Sequence, residues 1–354
     1  MNALPPSKPD GRQRPSVYEV AERAGVSIAT VSRVLRDSAP VAAATRERVL
    51  AAADELRWRP SRLAHAFAVQ SHGAVGIVFP DLAGPYFSRV ISGFEHEAAE
   101  RRSAALILGT HGRANAEELV VDLADRVDGL VVMGRTVSDD LVTTLARREI
   151  PVVLLARHSV GGVPAVRTDN LGAADVLTRH LLDHGRRRLA FVGEPRRSPD
   201  VTERWRGVRR ALRRAGTSAS GTLVPCGGFD VDHGYKAGLD LFAGRDMFDA
   251  VMCANDEVAV GVIRAADASA VRVPDDIAVT GWDDTLMASR LHPSVTTVRQ
   301  PMRELGAQAA ALLFDRIAGE AVEPVVLRTT LVVRESCGCA RPIETEPGTD
   351  GGRP

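Results

Sequence analysis

The chain has 354 residues, more than the roughly 250 to 300 that one hydrophobic core usually supports, so two or three domains are expected. Basic and acidic side chains balance at 45 each, and 45% of the residues are hydrophobic, which excludes global disorder. No apolar run approaches the ~20 residues that span a bilayer, and the first residues lack a secretory apolar centre. Four cysteines are too few for a disulfide scaffold. A cytoplasmic protein is expected.

The charge is uneven along the chain. Residues 1–72 hold eleven basic and seven acidic side chains, so this head carries +4 and the remainder −4. A basic head suggests an acidic partner such as nucleic acid, although so small an excess is also common by chance. Residues 1–15 contain four prolines and no apolar period, which predicts a disordered leader.

Three short helices are predicted within residues 16–59. Apolar residues at helical spacing follow Ser16, and Gly25 ends this first helix. Ser27 is placed to cap a second helix, and a third runs from about residue 44 to residue 57. The side chains predicted to point inward from the second and third helices are Val31, Val34, Leu35, Val49, Leu50, Ala53 and Leu56.

From residue 73 onward, short apolar runs alternate with amphipathic stretches, which is typical of βαβ units in a doubly wound α/β fold. Because these runs are apolar throughout, they are interpreted as buried parallel strands. The predicted strands are 74–79, 104–108, 129–133, 152–156, 189–193, 248–253 and 277–281. The predicted helices are 88–102, 116–125, 139–148, 172–184, 201–215, 232–243, 257–268 and 302–318. Ligands are expected at the carboxyl ends of the strands.

The sequence contains none of the common catalytic motifs GxxxxGK[ST], GxGxxG, GxSxG or HExxH. The acidic pairs at 139–140, 275–276 and 283–284 are better explained as solvated turns or helix caps than as catalytic carboxylates, with Asp283 as the exception. Cys337 and Cys339 form a C-x-C pair with no histidine nearby in the sequence, which is poor spacing for zinc. We therefore expect no enzyme activity, no metal and no cofactor.

The strongest local signal is AERAGVSIATVSRVL at residues 21–35. A helix-turn-helix needs a small residue where its helices cross, a glycine in the turn and a β-branched residue at the corner, and Ala21, Gly25 and Val31 satisfy these needs. Arg33 has the forked donors to bind a guanine edge. The second helix would expose Ile28, Ala29, Ser32, Arg33 and Arg36, and the residues placed to hold phosphates are Tyr18, Ser27 and Thr30. The alternative is a helical hairpin with solvated arginines.

These residues resemble the lactose/galactose repressor (LacI/GalR) family of bacterial transcription regulators. The resemblance lies in VYEVAERAGVSIATVSRVLR at 17–36 and TRERVLAAADELRWRPSRLAHAFA at 45–68. Further segments that resemble the family's landmarks, in the family's order, are 80–98, 126–134, 204–212, 253–265, 274–284 and 293–306. The resemblance covers about residues 16–336.

The resemblance implies a helix-turn-helix domain at 16–59, a hinge helix and linker at 60–72, and an effector-binding core at 73–340. The core would be a periplasmic-binding-protein-like pair of doubly wound α/β subdomains, with the effector in the cleft between them. The implied subdomains are about 73–167 with 299–325, and 168–298 with 326–340, joined by crossovers near Arg167, Val298 and Val325. Residues 341–354 are expected to be a disordered tail. A homodimer is implied, because each recognition helix contacts half of a two-fold operator.

By the same resemblance, Arg33 is the recognition-helix arginine, and Ile28 and Ala29 occupy the two positions that set the operator sequence. Neither of these two side chains can hydrogen-bond a base, but both can contact thymine methyl groups. Arg36 stands where the family usually has asparagine, which would exchange an amide contact with phosphate for a charged one.

The segment PSRLAHAFA at residues 60–68 resembles the family's hinge helix, which orders on operator DNA. Its residues implied to contact DNA are Ala64, His65 and Phe67. His65 replaces an arginine and Phe67 replaces the leucine that the family uses as a wedge. Phe67 is therefore either a wedge that kinks the duplex or a dimer-packing residue.

In the implied cleft, Arg204 matches the family's effector-binding arginine, and Asn255 and Asp283 match polar residues at two strand ends. The other implied effector-binding residues are Phe87, Phe229 and Gln300. Such a set can fix hydroxyl groups while the aromatic faces cover the apolar side of a sugar or nucleobase. Asn255 and Asp283 have an alternative role as caps of the helices that follow them. Ala156 replaces an acidic residue of many members, which removes one acceptor for ligand hydroxyls.

Two functions follow from these observations. The leading one is a sequence-specific DNA-binding repressor of transcription whose operator affinity is controlled by a small sugar or sugar derivative. The alternative is a sugar-binding or sugar-processing α/β protein whose head does something other than bind DNA. The missing export signal and the missing catalytic motifs favour the first function.

Overall fold

The computed structural model describes residues 16–36, 40–58, 72–216, 219–244, 248–339 and 343–345. The chain divides into two compact units, Met1–His72 and Gly73–Pro354. In the ranges that the structure describes, no helix is both long and apolar enough to cross a membrane. The predicted DNA contacts of the hinge segment, Ala64, His65 and Phe67, lie outside the described residues.

The first unit consists of helices α1 (Val17–Ala24), α2 (Ile28–Arg36) and α3 (Ala43–Glu55). Its interior is a small apolar cluster made of Val20, Ala21, Ala24, Val31, Val34, Val49, Ala52 and Ala53. Leu50 of α3 was predicted to point inward, and this prediction is wrong, because Leu50 is 49% exposed. Ala52 takes the inward position, because Val49, Ala52 and Ala53 are spaced i, i+3, i+4 and so share one helix face.

Local hydrogen bonds define the ends of α1 and the turn that follows it. Ser16 and Glu19 form a capping box, in which the Ser16 amide donates to Glu19 Oε2 over 2.6 Å and the Glu19 amide donates to Ser16 Oγ over 3.4 Å. Gly25 has a φ of 62°, a left-handed conformation that glycine adopts without strain. Ser27 Oγ then accepts the Thr30 amide at 3.2 Å. The predicted glycine turn and serine cap are confirmed.

The strands of the second unit are β1 (Ala74–Phe79), β2 (Ala104–Gly109), β3 (Leu130–Met133), β4 (Val152–Leu155), β5 (Ala165–Thr168), β6 (Arg188–Val192), β7 (Ser220–Val224), β8 (Ala250–Cys253), β9 (Ala278–Thr280), β10 (Thr297–Arg299), β11 (Val325–Leu327), β12 (Thr330–Val333) and β13 (Ile343–Thr345). Its helices are α4 (Pro85–Glu100), α5 (Ala116–Ala124), α6 (Asp139–Arg147), α7 (Asn170–Asp183), α8 (Pro199–Ala215), α9 (Val231–Ala243), α10 (Asp256–Ala268), α11 (Leu286–Arg290) and α12 (Met302–Ile317).

These elements form two α/β subdomains, each around a parallel sheet with apolar clusters on both faces. The first subdomain has a six-stranded sheet in the order β11-β5-β4-β3-β1-β2, and the second has a four-stranded sheet in the order β7-β6-β8-β9. A small antiparallel sheet, β10-β12-β13, packs with the second subdomain through Val298, Leu331 and Val333. The predicted doubly wound α/β architecture is confirmed.

The chain passes from one subdomain to the other three times. It does so between β5 and α7, between β10 and α12, and between β11 and β12. The three connections lie side by side and are the covalent links between the subdomains within the described residues. Any shift of one subdomain relative to the other must therefore change the backbone at these connections.

Several details of the second unit also differ from the sequence prediction. The strands β5, β7 and β10 to β13 were not predicted, since most are only three or four residues long and contain arginine or threonine. Strand β2 was expected to be buried, but it lies at the edge of its sheet, where Ile107 is 44% exposed. The predicted disordered tail contains β13, which pairs antiparallel with β12, while residues 346–354 lie outside the described part.

Glycines let the helices pack with their backbones in contact. A Cβ atom on Gly93 of α4 would lie 1.9 Å from the carbonyl oxygen of Arg303 in α12, and one on Gly306 would lie 2.0 Å from that of Val90. The same arrangement joins α8 to α7, where a Cβ on Gly207 would lie 2.4 Å from the carbonyl oxygen of Leu171. A methyl group cannot fit at these distances, so each helix pair is held in one close packing.

We expect Gly306→Ala to lower the free energy of unfolding by about 1 to 3 kcal/mol or more, because overpacking outweighs the ~1 kcal/mol gain in helix propensity. Chemical denaturation of the full chain measures this. Glu95→Ala, at an exposed position of α4, is the control and should change the stability by less than about 0.5 kcal/mol. Equal stabilities of the Gly306 variant and the parent would contradict the packing argument.

Candidate functional site

The cleft site is built around Arg204, a buried side chain of α8. Its Nε donates to Asn170 Oδ1 over 2.8 Å, and its Nη1 donates to the carbonyl oxygen of Ala254 over 2.5 Å. The guanidinium carbon lies 4.5 Å from the centroid of the Trp282 ring, which adds a cation–π contact. Two of the three guanidinium nitrogens therefore donate hydrogen bonds to the protein, whereas Nη2 makes only a longer contact, with Asp200 at 4.0 Å.

A chain of buried hydrogen bonds continues from Arg204 across the subdomain connections. Asn170 Nδ2 donates to Thr168 Oγ1 over 3.2 Å, and Thr168 Oγ1 donates to Gln300 Oε1 over 2.8 Å. Gln300 Nε2 donates to Asp283 Oδ1 over 2.6 Å. Every donor points the same way, from the guanidinium at one end to the carboxyl group at the other, so the bonds polarise one another. Thr168 and Gln300 lie at two of the three crossovers.

Asp283 is held at the end of this chain in a strained backbone. Its φ is 110°, a region that costs about 1 to 3 kcal/mol for a residue other than glycine and persists where the surroundings impose it. The Asp283 amide donates to the carbonyl oxygen of Val298 over 2.8 Å, which fixes the residue beside β10. Burial raises the pKa of Asp283 to about 7, although Arg204 and the Gln300 hydrogen bond act in the opposite direction. Helix α11 is capped by Thr285, so Asp283 is not a cap.

A second acidic side chain, Asp200, lies on α8 one turn before Arg204. Its Oδ2 is 4.0 Å from Arg204 Nη2. Burial raises the pKa of Asp200 to about 6, and the positive charge of Arg204 partly offsets this effect. Asp200 was not predicted from the sequence. Its position four residues before the predicted Arg204 is the signal that would have pointed to it, because i and i+4 share a helix face.

Tyr86 of α4 brings a phenol from the first subdomain into this group. Burial raises the pKa of Tyr86 well above its usual value, with further contributions from the nearby charges of Asp200 and Asp283. Among the described residues, the buried Tyr86 hydroxyl finds no hydrogen-bond partner. An orphaned buried hydroxyl is costly in a protein interior, so this atom is suited to pairing with a ligand.

Phe87 was predicted as the cleft residue of the GPYF turn, but its neighbour Tyr86 supplies the polar group. The Phe87 ring packs edge to face on Phe79 at 5.7 Å and on Tyr86 at 5.5 Å. Phe87 therefore supports Tyr86 from the core of the first subdomain. The sequence signal that would have pointed to Tyr86 is its hydroxyl, directly before Phe87 in the GPYF segment.

Both polar atoms of the Asn255 side chain hydrogen-bond the protein. Its Oδ1 accepts the Val258 amide at 3.0 Å and caps α10, as the capping alternative proposed. Its Nδ2 donates to the carbonyl oxygen of Phe229 over 2.8 Å. Phe229 is half-buried against the core of the second subdomain. The side chain of Asn255 thus positions the segment that carries the predicted stacking ring.

Direct contacts join the two subdomains beside the cleft. His158, which follows β4, lies with its Nε2 2.6 Å from Glu203 Oε1 of α8. A Cβ on Gly84 would lie 2.9 Å from Glu257 Oε2 of α10, so the turn before α4 abuts the second subdomain. The cleft groups therefore come from elements that already touch across the subdomain boundary.

Ala156, which stands where many family members have an acidic residue, is buried and has a left-handed conformation with a φ of 55°. The next residue, Arg157, turns into the first subdomain, where its Nη1 donates to the carbonyl oxygen of Gly134 over 2.8 Å and its Nη2 pairs with Asp139. Asp139 of the first acidic pair is thus used in a structural ion pair.

The predicted DNA-contacting residues lie on the surface of the first unit in most cases. Tyr18 is 69% exposed and Ile28 is 40% exposed, and Ala29 and Arg33 are exposed as well. Ser27 Oγ and Thr30 Oγ1 hydrogen-bond each other at 2.9 Å, so one of these hydroxyls is engaged internally. Ser32 is half-buried, and the side chain of Arg36 lies outside the described part.

Two segments of the chain match models of known protein families. Residues 16–61 match the model of the bacterial regulatory proteins, lacI family, and residues 178–337 match the model of a periplasmic binding protein-like domain. The HTH-type transcriptional regulator CelR of Thermobifida fusca is 36% identical over 92% of this chain and 99% of its own length.

Two solved structures share the fold over most of the chain. The lac repressor dimer bound to operator and the anti-inducer ONPF has a TM-score of 0.83 and 26% identity over 92% of this chain and 99% of the repressor chain. The complex of the transcriptional regulator CelR with cellobiose has a TM-score of 0.68 and 34% identity over 91% of this chain and 100% of that chain. Since a relative above 30% identity spans nearly the whole sequence, the chain belongs to the lacI family of bacterial regulatory proteins.

Proposed function

We propose that the protein is a sequence-specific DNA-binding repressor of transcription whose affinity for operator DNA is controlled by a sugar-like effector. The observation that carries the proposal is the exposed face of α2. Val31 and Val34 anchor this helix in the core, while Ile28, Ala29 and Arg33 remain on the surface. A helix that is packed on one side and exposed at its start is suited to enter the major groove. Its relatives are transcriptional regulators, not enzymes.

The exposed face assigns distinct roles to its side chains. Arg33 would donate two hydrogen bonds to a guanine edge, and Ile28 and Ala29 would contact thymine methyl groups. Tyr18 and the Ser27 and Thr30 pair would hold phosphates. Arg36 and the hinge residues Ala64, His65 and Phe67 remain part of the proposed DNA contact through the family resemblance alone.

The cleft would bind the effector through polar groups from both subdomains. CelR binds cellobiose in its solved complex, and the polar groups here suit the hydroxyls of a saccharide. Asp283 would accept a ligand hydroxyl, and Arg204 Nη2 and the Tyr86 hydroxyl would donate. Phe229 would cover the apolar face of the sugar, with Asn255, Phe87 and Gln300 positioning their neighbours.

Effector binding would change operator affinity through the crossovers. A ligand that pairs with Tyr86 of the first subdomain and with Asp283 of the second favours one arrangement of the two. The hydrogen bond between Thr168 and Gln300 joins two crossovers to the same chain of polar groups. The effector would therefore act on the connections along which the subdomains shift.

We also propose that the protein acts in the cytoplasm as a homodimer. The solved lac repressor is a dimer on its operator. In this chain the exposed apolar side chains Leu106 and Ile107 on edge strand β2 are available for association. A dimer would present two copies of α2 to the two halves of an operator.

We expect Arg33→Ala to abolish the preference for operator over random DNA while dimerisation is retained, because the side chain supports no core. A lost bidentate contact costs about 1 to 3 kcal/mol per half-site. Binding titrations at one salt concentration, on the DNA upstream of the protein's own gene and on scrambled DNA, measure the ratio. Arg48→Ala, which removes an equal charge from an exposed position of α3, should leave the ratio nearly unchanged. An unaltered ratio for the Arg33 variant would disprove the assignment of α2.

We expect sugar affinity to rise with pH through about 7 and to level off above it. The pKa of Asp283 is raised to about 7, and its ionised form accepts ligand hydroxyls better than its neutral form. Asp283→Asn should weaken binding at least tenfold and remove this dependence. Calorimetry with a saccharide panel beginning with cellobiose measures both, and Asp275→Asn, at a surface turn, is the control. Normal affinity in the Asp283 variant would contradict the cleft assignment.

A further inference from the structure

Four histidine and cysteine side chains meet near the end of α7, at the opposite end of this helix from Asn170. Helix α7 supplies His180, and its C-cap residue His184 follows one turn later on the same side. Cys337 ends the 3₁₀ turn Glu335–Cys337, and Cys339 follows two residues later. The sequence prediction excluded zinc because no histidine is near the cysteines along the chain. The fold overturns that reason, since it brings together residues that are more than 150 positions apart.

The distances between the ligand atoms suit one small cation. The ligand atoms of His180, His184 and Cys339 all lie within 4.8 Å of one another. Cys339 Sγ is 2.9 Å from His184 Nε2 and 3.6 Å from His180 Nε2, and Cys337 Sγ is 3.4 Å from His180 Nε2 and 3.3 Å from Cys339 Sγ. A tetrahedron with Zn–S of about 2.3 Å and Zn–N of about 2.0 Å has edges of about 3.3 to 3.8 Å. Three of these separations, 3.3, 3.4 and 3.6 Å, fall within that range, and Cys337 Sγ lies beside His180 and Cys339 as a fourth donor.

A supporting hydrogen bond orients one of the rings. His184 Nδ1 lies 2.7 Å from the carbonyl oxygen of His180, to which it donates. With its proton on Nδ1, the ring directs the lone pair of Nε2 toward Cys339. Histidines that bind metals commonly donate their other ring nitrogen to a carbonyl or carboxylate in this way.

We propose that His180, His184, Cys337 and Cys339 form a structural zinc site. Two thiolates and two imidazoles match the donors that Zn²⁺ prefers and do not suit Mg²⁺ or Ca²⁺, which prefer oxygen. The two thiols release their protons to solvent as they bind the ion. With four protein ligands the coordination is complete, so the site is structural rather than catalytic.

The site would fasten the C-terminal end of the core to the second subdomain. Cys337 is buried in the apolar cluster that also contains Leu177 and Leu181 of α7. Bound zinc would close a long loop between α7 and the segment after β12, and such a link stabilises the folded state. Because α7 begins at Asn170 of the cleft chain, the ion would also hold the helix that carries this residue.

The test uses the full chain, kept reduced with a phosphine and stripped of metal. We expect the parent to bind one Zn²⁺ per chain by elemental analysis after dialysis, and to gain thermal stability when zinc is returned. With Co²⁺ it should show the visible absorption of a tetrahedral ion together with a thiolate-to-cobalt band. Cys339→Ser and His184→Gln change partly exposed side chains, so both variants should fold, and each should weaken binding at least tenfold.

The controls change the same residue types elsewhere. Cys226→Ser and His292→Gln, outside the cluster, should bind zinc as the parent does. The proposal is overturned if the reduced parent binds neither Zn²⁺ nor Co²⁺. It is also overturned if Cys339→Ser and His184→Gln retain the ion, or if the freshly isolated protein holds a Cys337–Cys339 disulfide that forms again in preference to zinc binding.

Discussion

The proposed response of the core to its effector depends on one chain of buried hydrogen bonds that begins at Arg204 and ends at Asp283. It passes through Asn170, Thr168 and Gln300, whose side chains are all buried. An unpaired polar group in this position would cost about 1 to 3 kcal/mol, so every member needs its neighbours. The two charged ends lie in the cleft, whereas the middle lies on the connections between the subdomains. In the proposed mechanism, a ligand that pairs with either end would therefore alter the groups that hold the crossovers in place.

Close helix packing elsewhere in the core would concentrate any relative movement of the subdomains at those crossovers. In the first subdomain α4 and α12 are in backbone contact at Gly93 and Gly306, and in the second the same holds for α9 and α10, where a Cβ on Gly261 would lie 2.2 Å from the carbonyl oxygen of Val231. Interfaces packed this closely do not deform gradually. The proposed zinc site acts in the same direction, since it would tie the end of α7 to the last turn of the core. Two rigid subdomains joined by three connecting segments can exchange between discrete arrangements.

Much of the local structure could be predicted because it depends on short-range chemistry. Gly25, Ser27 and the apolar runs of β1, β3 and β4 act within a few residues, so their patterns are visible in the sequence. Leu50 was misplaced because the apolar residues of α3 are compatible with more than one inward face, and tertiary packing selects the face that contains Ala52. The short strands β5 and β10 were missed because each contains threonine and arginine, which interrupt the apolar pattern. Long-range proximity was invisible: no sequence pattern places His180 beside Cys337, or the Tyr86 hydroxyl beside Asp200. Family resemblance supplied Arg204, Asp283 and Gln300, but not the order in which they hydrogen-bond.

The most direct test of the account is the effect of the sugar on operator affinity in the variant Thr168→Val, which removes one hydroxyl from the middle of the hydrogen-bond chain and keeps the shape of the side chain. The measurement is operator binding with and without a saccharide that binds the parent, together with calorimetry of the saccharide itself. Because linkage is reciprocal, the two affinities report one coupling free energy. The account predicts that the variant still binds both ligands but that the sugar changes its operator affinity at least tenfold less than in the parent. An undiminished response to the sugar would show that the coupling does not pass through Thr168 and would contradict the central claim.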